Sequence, residues 1–302
     1  MNKIEIRDVS PRDGLQDLPA TVSTEHKHEL VRRLWGAGVR AIEVTSFVSP
    51  KRVPQLSDAA ELCALVAKHA PDGVVLSAFV PNARGAERAL AAGIDELSTT
   101  VPITDGMSRA NFGMDSAQMF NAVAALTDFG SDADLSVTIS VAFGCPYDGV
   151  VTASQVRGMV ERLAEAGYST ILLGDTIGVA DPRSVEAVFE ELVPAFEDVK
   201  FGAHFHDARG AGVANVIAAV EAGATLVDAA LGGLGGCPFA PGAAGNVATE
   251  DVCWALGAMG FEVDPEPAKL ATVAGWMREE LGVDLASRMP LAARFEWEPY
   301  AA

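Results

Sequence analysis

The sequence predicts an α/β protein built as a (β/α)8 TIM barrel, and three observations support this prediction. Short apolar runs rich in β-branched residues alternate with amphipathic helical patterns along most of the chain. Eight such units occur, in a chain close to the ~250 residues typical of this barrel. Ala-Gly pairs recur just before predicted strands, as expected where helices end in a left-handed glycine. They stand at residues 37–38, 92–93, 166–167 and 222–223.

The predicted strands are mostly apolar, which is the pattern of a parallel sheet buried on both faces. They are residues 3–8, 41–45, 74–80, 96–101, 135–142, 170–174, 200–206 and 226–231. The predicted helices are residues 24–37, 55–69, 84–91, 116–129, 153–166, 182–196, 208–222 and 247–259. We assign residues 1–264 to the catalytic barrel. Residues 265–302, with an amphipathic piece at 268–281, are a short C-terminal helical appendage and not a separate domain.

Composition and charge exclude several classes of protein. The chain has 302 residues, 49% of them hydrophobic, and no apolar stretch reaches the ~20 residues that a membrane span needs. The polar first residues lack the apolar segment of a signal peptide, so we expect a cytoplasmic protein without a membrane partner. A net charge of −19 argues against nucleic acid as a partner, because such binding needs a basic surface. The four cysteines form no C-x-x-C pair, which favours free thiols.

Functional residues of such a barrel lie at the carboxyl ends of its strands, and polar clusters follow five of the predicted strands. His204 and His206 alternate along the seventh strand, so both imidazoles should point to the same face. Asp13 follows the first strand, and Asn246 follows the eighth. The Asn246 amide is either the N-cap of the next helix or a metal ligand. A carboxylate, two imidazoles and an amide oxygen together suit Mg²⁺ or Mn²⁺.

Residues 231–251 are the most unusual stretch of the chain. Six glycines and two prolines surround Cys237 there. Such backbone freedom lets a chain turn tightly and approach a ligand closely. A mobile connection around a buried structural cysteine would explain an isolated segment of this kind equally well. The polar clusters upstream favour a functional loop.

Taken together, these motifs resemble those of 3-hydroxy-3-methylglutaryl-CoA lyases, within a wider group of metal-dependent barrel lyases and Claisen-type synthases. The match runs in order from about Ile4 to Asp251, which is far more specific than any single motif. The matching segments are Ser10-Pro-Arg-Asp-Gly-Leu-Gln16, Glu43-Val-Thr-Ser-Phe-Val-Ser-Pro-Lys51, Gly144-Cys-Pro-Tyr-Asp-Gly149, Gly174-Asp-Thr-Ile-Gly178, His204-Phe-His-Asp207 and the Cys237 loop.

The resemblance implies cleavage of 3-hydroxy-3-methylglutaryl-CoA to acetyl-CoA and acetoacetate, a retro-Claisen reaction. It implies that the divalent cation is held by Asp13, His204, His206 and Asn246. Arg12 would stabilise the enolate oxygen, and Glu43 would orient Arg12. Cys237 would deliver a proton to the nascent methyl carbon. His204, Asp13 or a metal-bound water could remove the hydroxyl proton, and the sequence leaves this choice open.

The acyl-CoA substrate needs local positive charge on so acidic a protein. We name Arg12, Gln16, Lys51 and Arg109 as candidate substrate-binding residues, and Arg52 and Arg84 are further cations near the predicted rim. Proteins of this kind are commonly dimers, so we expect a homo-oligomer, with the C-terminal helix as a candidate contact.

Departures from the family pattern leave the exact substrate open. The chain reads Asp17-Leu-Pro19 where relatives often have Asn-Glu, and Ser136 stands where the family commonly has Arg. A substrate with a bulkier 3-alkyl branch, accommodated by Gly106 and Ser136, is one alternative. A Claisen-type condensing synthase, an aldolase for 4-hydroxy-2-oxo acids, and an inactive barrel that only binds acyl-CoA are others.

Overall fold

The barrel is closed by eight parallel strands that follow one another in chain order. The computed structural model describes residues 2–236 and 245–292. Within them each strand pairs with the next, and the eighth pairs with the first. The strands are β1 (Glu5–Asp8), β2 (Ala41–Ser46), β3 (Val75–Phe79), β4 (Glu96–Pro102), β5 (Asp134–Ser140), β6 (Thr170–Asp175), β7 (Lys200–Phe205) and β8 (Leu226–Ala229). The predicted fold class is confirmed.

Helices surround the barrel. They are α1 (Thr24–Gly36), α2 (Ala59–His69), α3 (Ala83–Ala91), α4 (Asp105–Phe112), α5 (Ser116–Ala124), α6 (Ala153–Ala166), α7 (Pro182–Leu192), α8 (Gly212–Glu221), α9 (Thr249–Ala258) and α10 (Pro267–Leu281). The glycines of the four Ala-Gly pairs have φ between 81° and 108°. This is the left-handed backbone conformation expected of a glycine that ends an α-helix. No helix in the described part of the chain is both long and apolar enough to cross a membrane.

The sequence missed α4, which lies in the connection after β4. This segment contains Gly106 and few apolar residues, so its local helix signal is weak. Contacts with other segments hold it instead. The Gly106 N–H donates to the Asp148 carboxylate at 2.8 Å, and Asp105 accepts hydrogen bonds from the N–H and hydroxyl of Ser116 at 2.9 and 2.6 Å.

The C-terminal segment is tied to the barrel. On α10, Leu270 and Met277 are fully buried, and α10 lies against α9 and α1. After this helix, the N–H groups of Ala286 and Ser287 donate to the Gly232 carbonyl at 2.8 and 3.2 Å. The extension therefore contacts the start of the Cys237 loop. The division at residues 264 and 265 stays a prediction.

Lys27 is a fully buried cation outside the barrel interior. Its ammonium group donates to Asp58 at 2.6 Å and to the Gln55 carbonyl, and so joins α1 to the segment before α2. Removal of one partner from a buried pair leaves the other charge uncompensated. We expect Lys27→Met to lower the free energy of unfolding by about 3 kcal/mol, measured by urea denaturation. Lys269→Met is the control, because it removes an exposed ion pair with Glu266. It should change the free energy of unfolding by no more than about 0.5 kcal/mol.

Candidate metal centre

Three side chains with metal-binding atoms meet at the carboxyl ends of β1 and β7. His204 lies in β7 and His206 directly follows it, with ring centroids 5.5 Å apart. Asp13 lies in a π-helical turn, Ser10–Gly14, whose Asp13 N–H donates to the Val9 carbonyl at 2.8 Å. Candidate ligand atoms of Asp13, His204 and His206 lie within 4.8 Å of one another. The rim therefore holds a group that can bind a metal ion.

Asn246 joins this group through its side chain. Its Nδ2 donates to Asp13 at 2.6 Å and to the Leu234 carbonyl at 3.1 Å. Because α9 begins at Thr249 with Ala248 at the N-cap position, Asn246 is not the cap of that helix. The N-cap role expected from the sequence is therefore excluded, and metal ligation by Asn246 stays a prediction.

The donor set fits a divalent cation. Asn246 Oδ1 and His206 Nδ1 are buried and have no hydrogen-bond partner among the described residues. A buried polar atom without a partner costs free energy, and a bound cation would satisfy an oxygen or nitrogen lone pair at this place. One carboxylate, two imidazoles and an amide oxygen are ligands that Mg²⁺ and Mn²⁺ accept.

The electrostatic surroundings of Asp13 and His206 suit these two side chains to metal ligation. Burial favours the neutral form of Asp13, but Arg12 and the two histidines outweigh it and hold the pKa of Asp13 below its usual value. Burial, with the nearby His204, lowers the pKa of His206 to about 4. For His204, burial is outweighed by the hydrogen bond and charge of Asp228, which raise its pKa. The centre thus holds an ionised Asp13 and a neutral His206 at neutral pH, the forms that bind metals.

Arg12 is fixed beside the centre by two carboxylates. Its Nε donates to Glu43 and its Nη1 donates to Asp13. Its guanidinium also stacks over the Phe79 ring, with Cζ 5.1 Å from the ring centroid. Glu43 accepts a second hydrogen bond from the Ser98 hydroxyl of β4. The structure thus pairs Arg12 with Glu43, as the resemblance implied.

The candidate substrate-binding residues separate into two groups. Gln16 lies at the centre, where its Nε2 donates to Asp13 at 3.0 Å. Lys51 is exposed in the turn that follows β2, and Arg109 is exposed on α4. A hydrogen bond from Arg52 to the Asn111 carbonyl, at 3.4 Å, links these two segments. Lys51 and Arg109 therefore lie on neighbouring segments of the rim and belong to its outer part.

Comparison with known proteins places the chain in a family. The sequence profile described as HMGL-like matches residues 3–275. The chain belongs to this family. The HMGL-like match includes all eight strands and the four residues of the proposed ligand set.

Individual relatives of the HMGL-like chain are carbon–carbon lyases. It is 39% identical to the hydroxymethylglutaryl-CoA lyase of Bacillus subtilis, over 95% of this chain and 96% of the relative. It is 37% identical to the (R)-citramalyl-CoA lyase of Chloroflexus aurantiacus, over 93% of this chain and 92% of the relative. A solved HMG-CoA lyase from Acinetobacter baumannii, in complex with coenzyme A and 3-methylmalate, superposes with a TM-score of 0.91 at 34% identity, covering 99% of this chain and 98% of that one.

The predicted proton donor of this HMGL-like barrel, Cys237, lies outside the described residues. The two described ends of its loop converge on the metal centre. A Cβ added to Gly235, whose φ is +122°, would stand 2.7 Å from Asn246 Nδ2. A Cβ on Gly245 would stand 2.6 Å from the Gly235 carbonyl. Both positions therefore need glycine, because neighbouring atoms fill the space.

Two residues expected to widen the substrate pocket do not do so. Ser136 donates to Glu96 at 2.5 Å and accepts from the Arg7 guanidinium at 2.9 Å, inside the barrel. A Cβ on Gly106 would stand 2.4 Å from an Asp148 carboxylate oxygen. The prediction that Gly106 and Ser136 make room for a bulkier 3-alkyl branch of the substrate is therefore wrong. The sequence could not show that Asp148 and Arg7 occupy these places.

Sequence reasoning gave neither Asp228 nor Glu250 a role at the site. Asp228 accepts a hydrogen bond from His204 Nδ1 at 3.0 Å. Glu250 is fully buried and accepts from the Gly232 N–H at 3.0 Å, so it anchors the start of the Cys237 loop. An acidic residue within the apolar run of β8 was the one available signal for Asp228.

Glu250 should make stability depend on pH. Burial raises the pKa of Glu250 to about 7, above the ordinary glutamate value of 4.5. Between these values the folded state holds a proton that the unfolded state releases, so this group's contribution to stability is lost as pH rises through that window. We expect Glu250→Gln to gain stability relative to the wild type as pH rises from 4.5 to about 7, by up to about 1.4 kcal/mol per pH unit. Urea denaturation at several pH values measures this gain. A constant difference between the two proteins would contradict the prediction, and Glu221→Gln, at the exposed end of α8, is the control.

Proposed function

We propose that the protein cleaves 3-hydroxy-3-methylglutaryl-CoA to acetyl-CoA and acetoacetate. The observation that carries the proposal is the convergence of Asp13, His204, His206 and Asn246 at one rim, beside a fixed Arg12. The same chain is 39% identical to a hydroxymethylglutaryl-CoA lyase over 95% of its length. An assembled ligand set also argues against an inactive barrel that only binds acyl-CoA.

The cation of this site is Mg²⁺ or Mn²⁺ in our proposal, held by the same four side chains. When bound, such a cation supplies Lewis acidity toward the tertiary hydroxyl and a carboxylate oxygen of the substrate. The chain's own residues fix the ligands beforehand. Asp13 is oriented by Arg12, Gln16 and Asn246, and His204 is oriented by Asp228.

His204 and Asp13 are the side-chain candidates for removal of the hydroxyl proton. Asp13 is the weaker base, because Arg12, Gln16 and Asn246 already donate hydrogen bonds to its carboxylate. His204 has its Nδ1 committed to Asp228. Proton acceptance and metal ligation therefore both need His204 Nε2, and the two roles exclude each other within one step.

Arg12 stabilises the negative charge of the product enolate in this mechanism. Its Nε and Nη1 are used by Glu43 and Asp13, whereas Nη2 makes no hydrogen bond to a described residue. A guanidinium stays protonated and has five N–H donors, so the remaining ones are free for a thioester oxygen. Donors fixed before the reaction stabilise a developing charge without reorganisation.

Cys237 completes the reaction as the proton donor to the methyl carbon of acetyl-CoA. A thiol with the reference pKa of ~8.5 is mostly protonated at neutral pH, as this role requires.

We further propose that the protein works as a cytoplasmic homodimer; light scattering of the purified chain tests the oligomeric state.

Metal-stripped protein should release no acetoacetate from 3-hydroxy-3-methylglutaryl-CoA, and added Mg²⁺ or Mn²⁺ should restore the release. Cys237→Ser should lose activity by at least about 100-fold while it still binds Mn²⁺, because loss of a general acid costs 10²–10⁴-fold. Cys63→Ala, in the buried face of α2, is the matched control and should keep activity. Full activity of Cys237→Ser would remove the proton-donor role. Acetyl-CoA consumption with a 2-oxo acid would indicate a condensing synthase instead.

(R)-Citramalyl-CoA is the second candidate substrate, favoured by the 37% identity to its lyase. Its acyl chain is one methylene shorter, and it yields pyruvate instead of acetoacetate. One methylene changes substrate discrimination about 10- to 200-fold. We expect kcat/KM for 3-hydroxy-3-methylglutaryl-CoA to exceed that for (R)-citramalyl-CoA by such a factor. The reverse ratio would reassign the substrate without changing the reaction type, and a product assay for both keto acids decides it.

A further inference from the structure

One layer of the barrel interior connects the metal centre to β1. Arg7 of β1 is the register partner of Asp228 in β8, and Asp228 is the register partner of His204 in β7. Partners in adjacent parallel strands point to the same face of the sheet. All three side chains therefore point into the barrel, as neighbours in a row.

The contacts along this row are direct. Arg7 Nε donates to Asp228 Oδ1 at 2.7 Å, and Arg7 Nη2 donates to Oδ2 at 3.1 Å, which is the two-bond geometry of a guanidinium and a carboxylate. Asp228 Oδ2 lies 3.0 Å from His204 Nδ1. An ionised carboxylate only accepts hydrogen bonds, so His204 Nδ1 must carry the hydrogen. The lone pair of the neutral ring is then on Nε2.

Arg7 is also held from the opposite wall. Its Nη1 donates to Ser136 of β5 at 2.9 Å and to Glu96 of β4, and the Arg7 residue is only 2% exposed. Interior layers of such barrels are usually filled by Val, Ile and Leu. A buried charge is tolerated only when paired, and here one guanidinium pairs with carboxylates on two sides of the barrel.

We propose that Arg7 and Asp228 are positioning residues for the metal centre: Arg7 fixes the carboxylate of Asp228, and Asp228 holds His204 in the tautomer whose Nε2 is available to the cation. The inference rests on the proposed function, because it concerns the same ligand set. Neither residue contacts the substrate in this account. Outer carboxylates of this kind fix ring orientation, and their loss typically weakens metal binding 10- to 100-fold.

The test measures Mn²⁺ affinity by titration calorimetry and the His204 tautomer by ¹H–¹⁵N NMR of the metal-free protein. Asp228→Leu removes the acceptor but leaves Arg7 paired with Glu96, so the variant does not leave the buried guanidinium without a partner. We expect the Mn²⁺ dissociation constant to rise roughly 10- to 100-fold and the Nδ1–H tautomer to lose its dominance. In cleavage assays kcat should fall much more than KM changes.

A charge swap separates positioning from stability. Ser136 Oγ is 2.9 Å from Arg7 Nη1, so an arginine on β5 can place its guanidinium in the space that Arg7 vacates. Arg7→Ser should weaken Mn²⁺ binding, and Arg7→Ser with Ser136→Arg should recover most of it. Lys27→Met is the matched control, since it removes a buried cation that does not contact the barrel interior. It should lower stability and leave Mn²⁺ affinity unchanged.

The outcomes distinguish this inference from the proposed reaction. Wild-type Mn²⁺ affinity together with an unchanged His204 tautomer in Asp228→Leu would overturn the positioning role. If Arg7→Ser does not fold, Asp228→Leu and the double variant decide the question. Mn²⁺ affinity and the His204 tautomer are both measured without substrate. If the variants bind Mn²⁺ more weakly but the wild type cleaves no acyl-CoA, the positioning role is supported and the proposed reaction is rejected.

Discussion

Ion pairs between strands organise the interior of this barrel. Arg7 joins β1 to β8 and β4, and Arg12, in the turn after β1, pairs with Glu43 of β2. Charges that leave water must be neutralised locally, or the folded state loses several kcal/mol for each of them. The strands therefore close around matched charges, and this match fixes which side chains stand next to the metal centre.

Two buried carboxylates, those of Glu43 and Asp228, each orient a neighbouring side chain at a different height of the barrel. Glu43 accepts from Arg12 and from the Ser98 hydroxyl, and Asp228 accepts from Arg7 and from His204. Each carboxylate is held by groups from more than one strand, so it cannot turn without breaking a buried hydrogen bond. A group that is fixed in this way orients its neighbour before any ligand binds, which reduces the reorganisation that catalysis requires.

Much of the fold and of the centre could be predicted, because the signals were local. Alternation placed His204 and His206 on one face, and apolar runs located the strands within a few residues. Asp228 was not predicted, because its partner Arg7 is 221 residues away along the chain and only barrel closure brings them together. Likewise α4 depends on Asp148 and Ser116 more than on its own sequence. The contacts that the sequence did not predict are those between residues that lie far apart along the chain.

Asn246 connects the metal centre to the loop that contains Cys237. Its Nδ2 donates both to Asp13 and to the Leu234 carbonyl, three residues before Cys237. Its Oδ1, on the same planar amide, has no partner among the described residues. A cation at Oδ1 would favour the amide orientation in which both Nδ2 contacts form. Because one rigid group would carry all three contacts, an ion bound here would also stabilise the start of the loop, and by reciprocity an ordered loop start would strengthen ion binding.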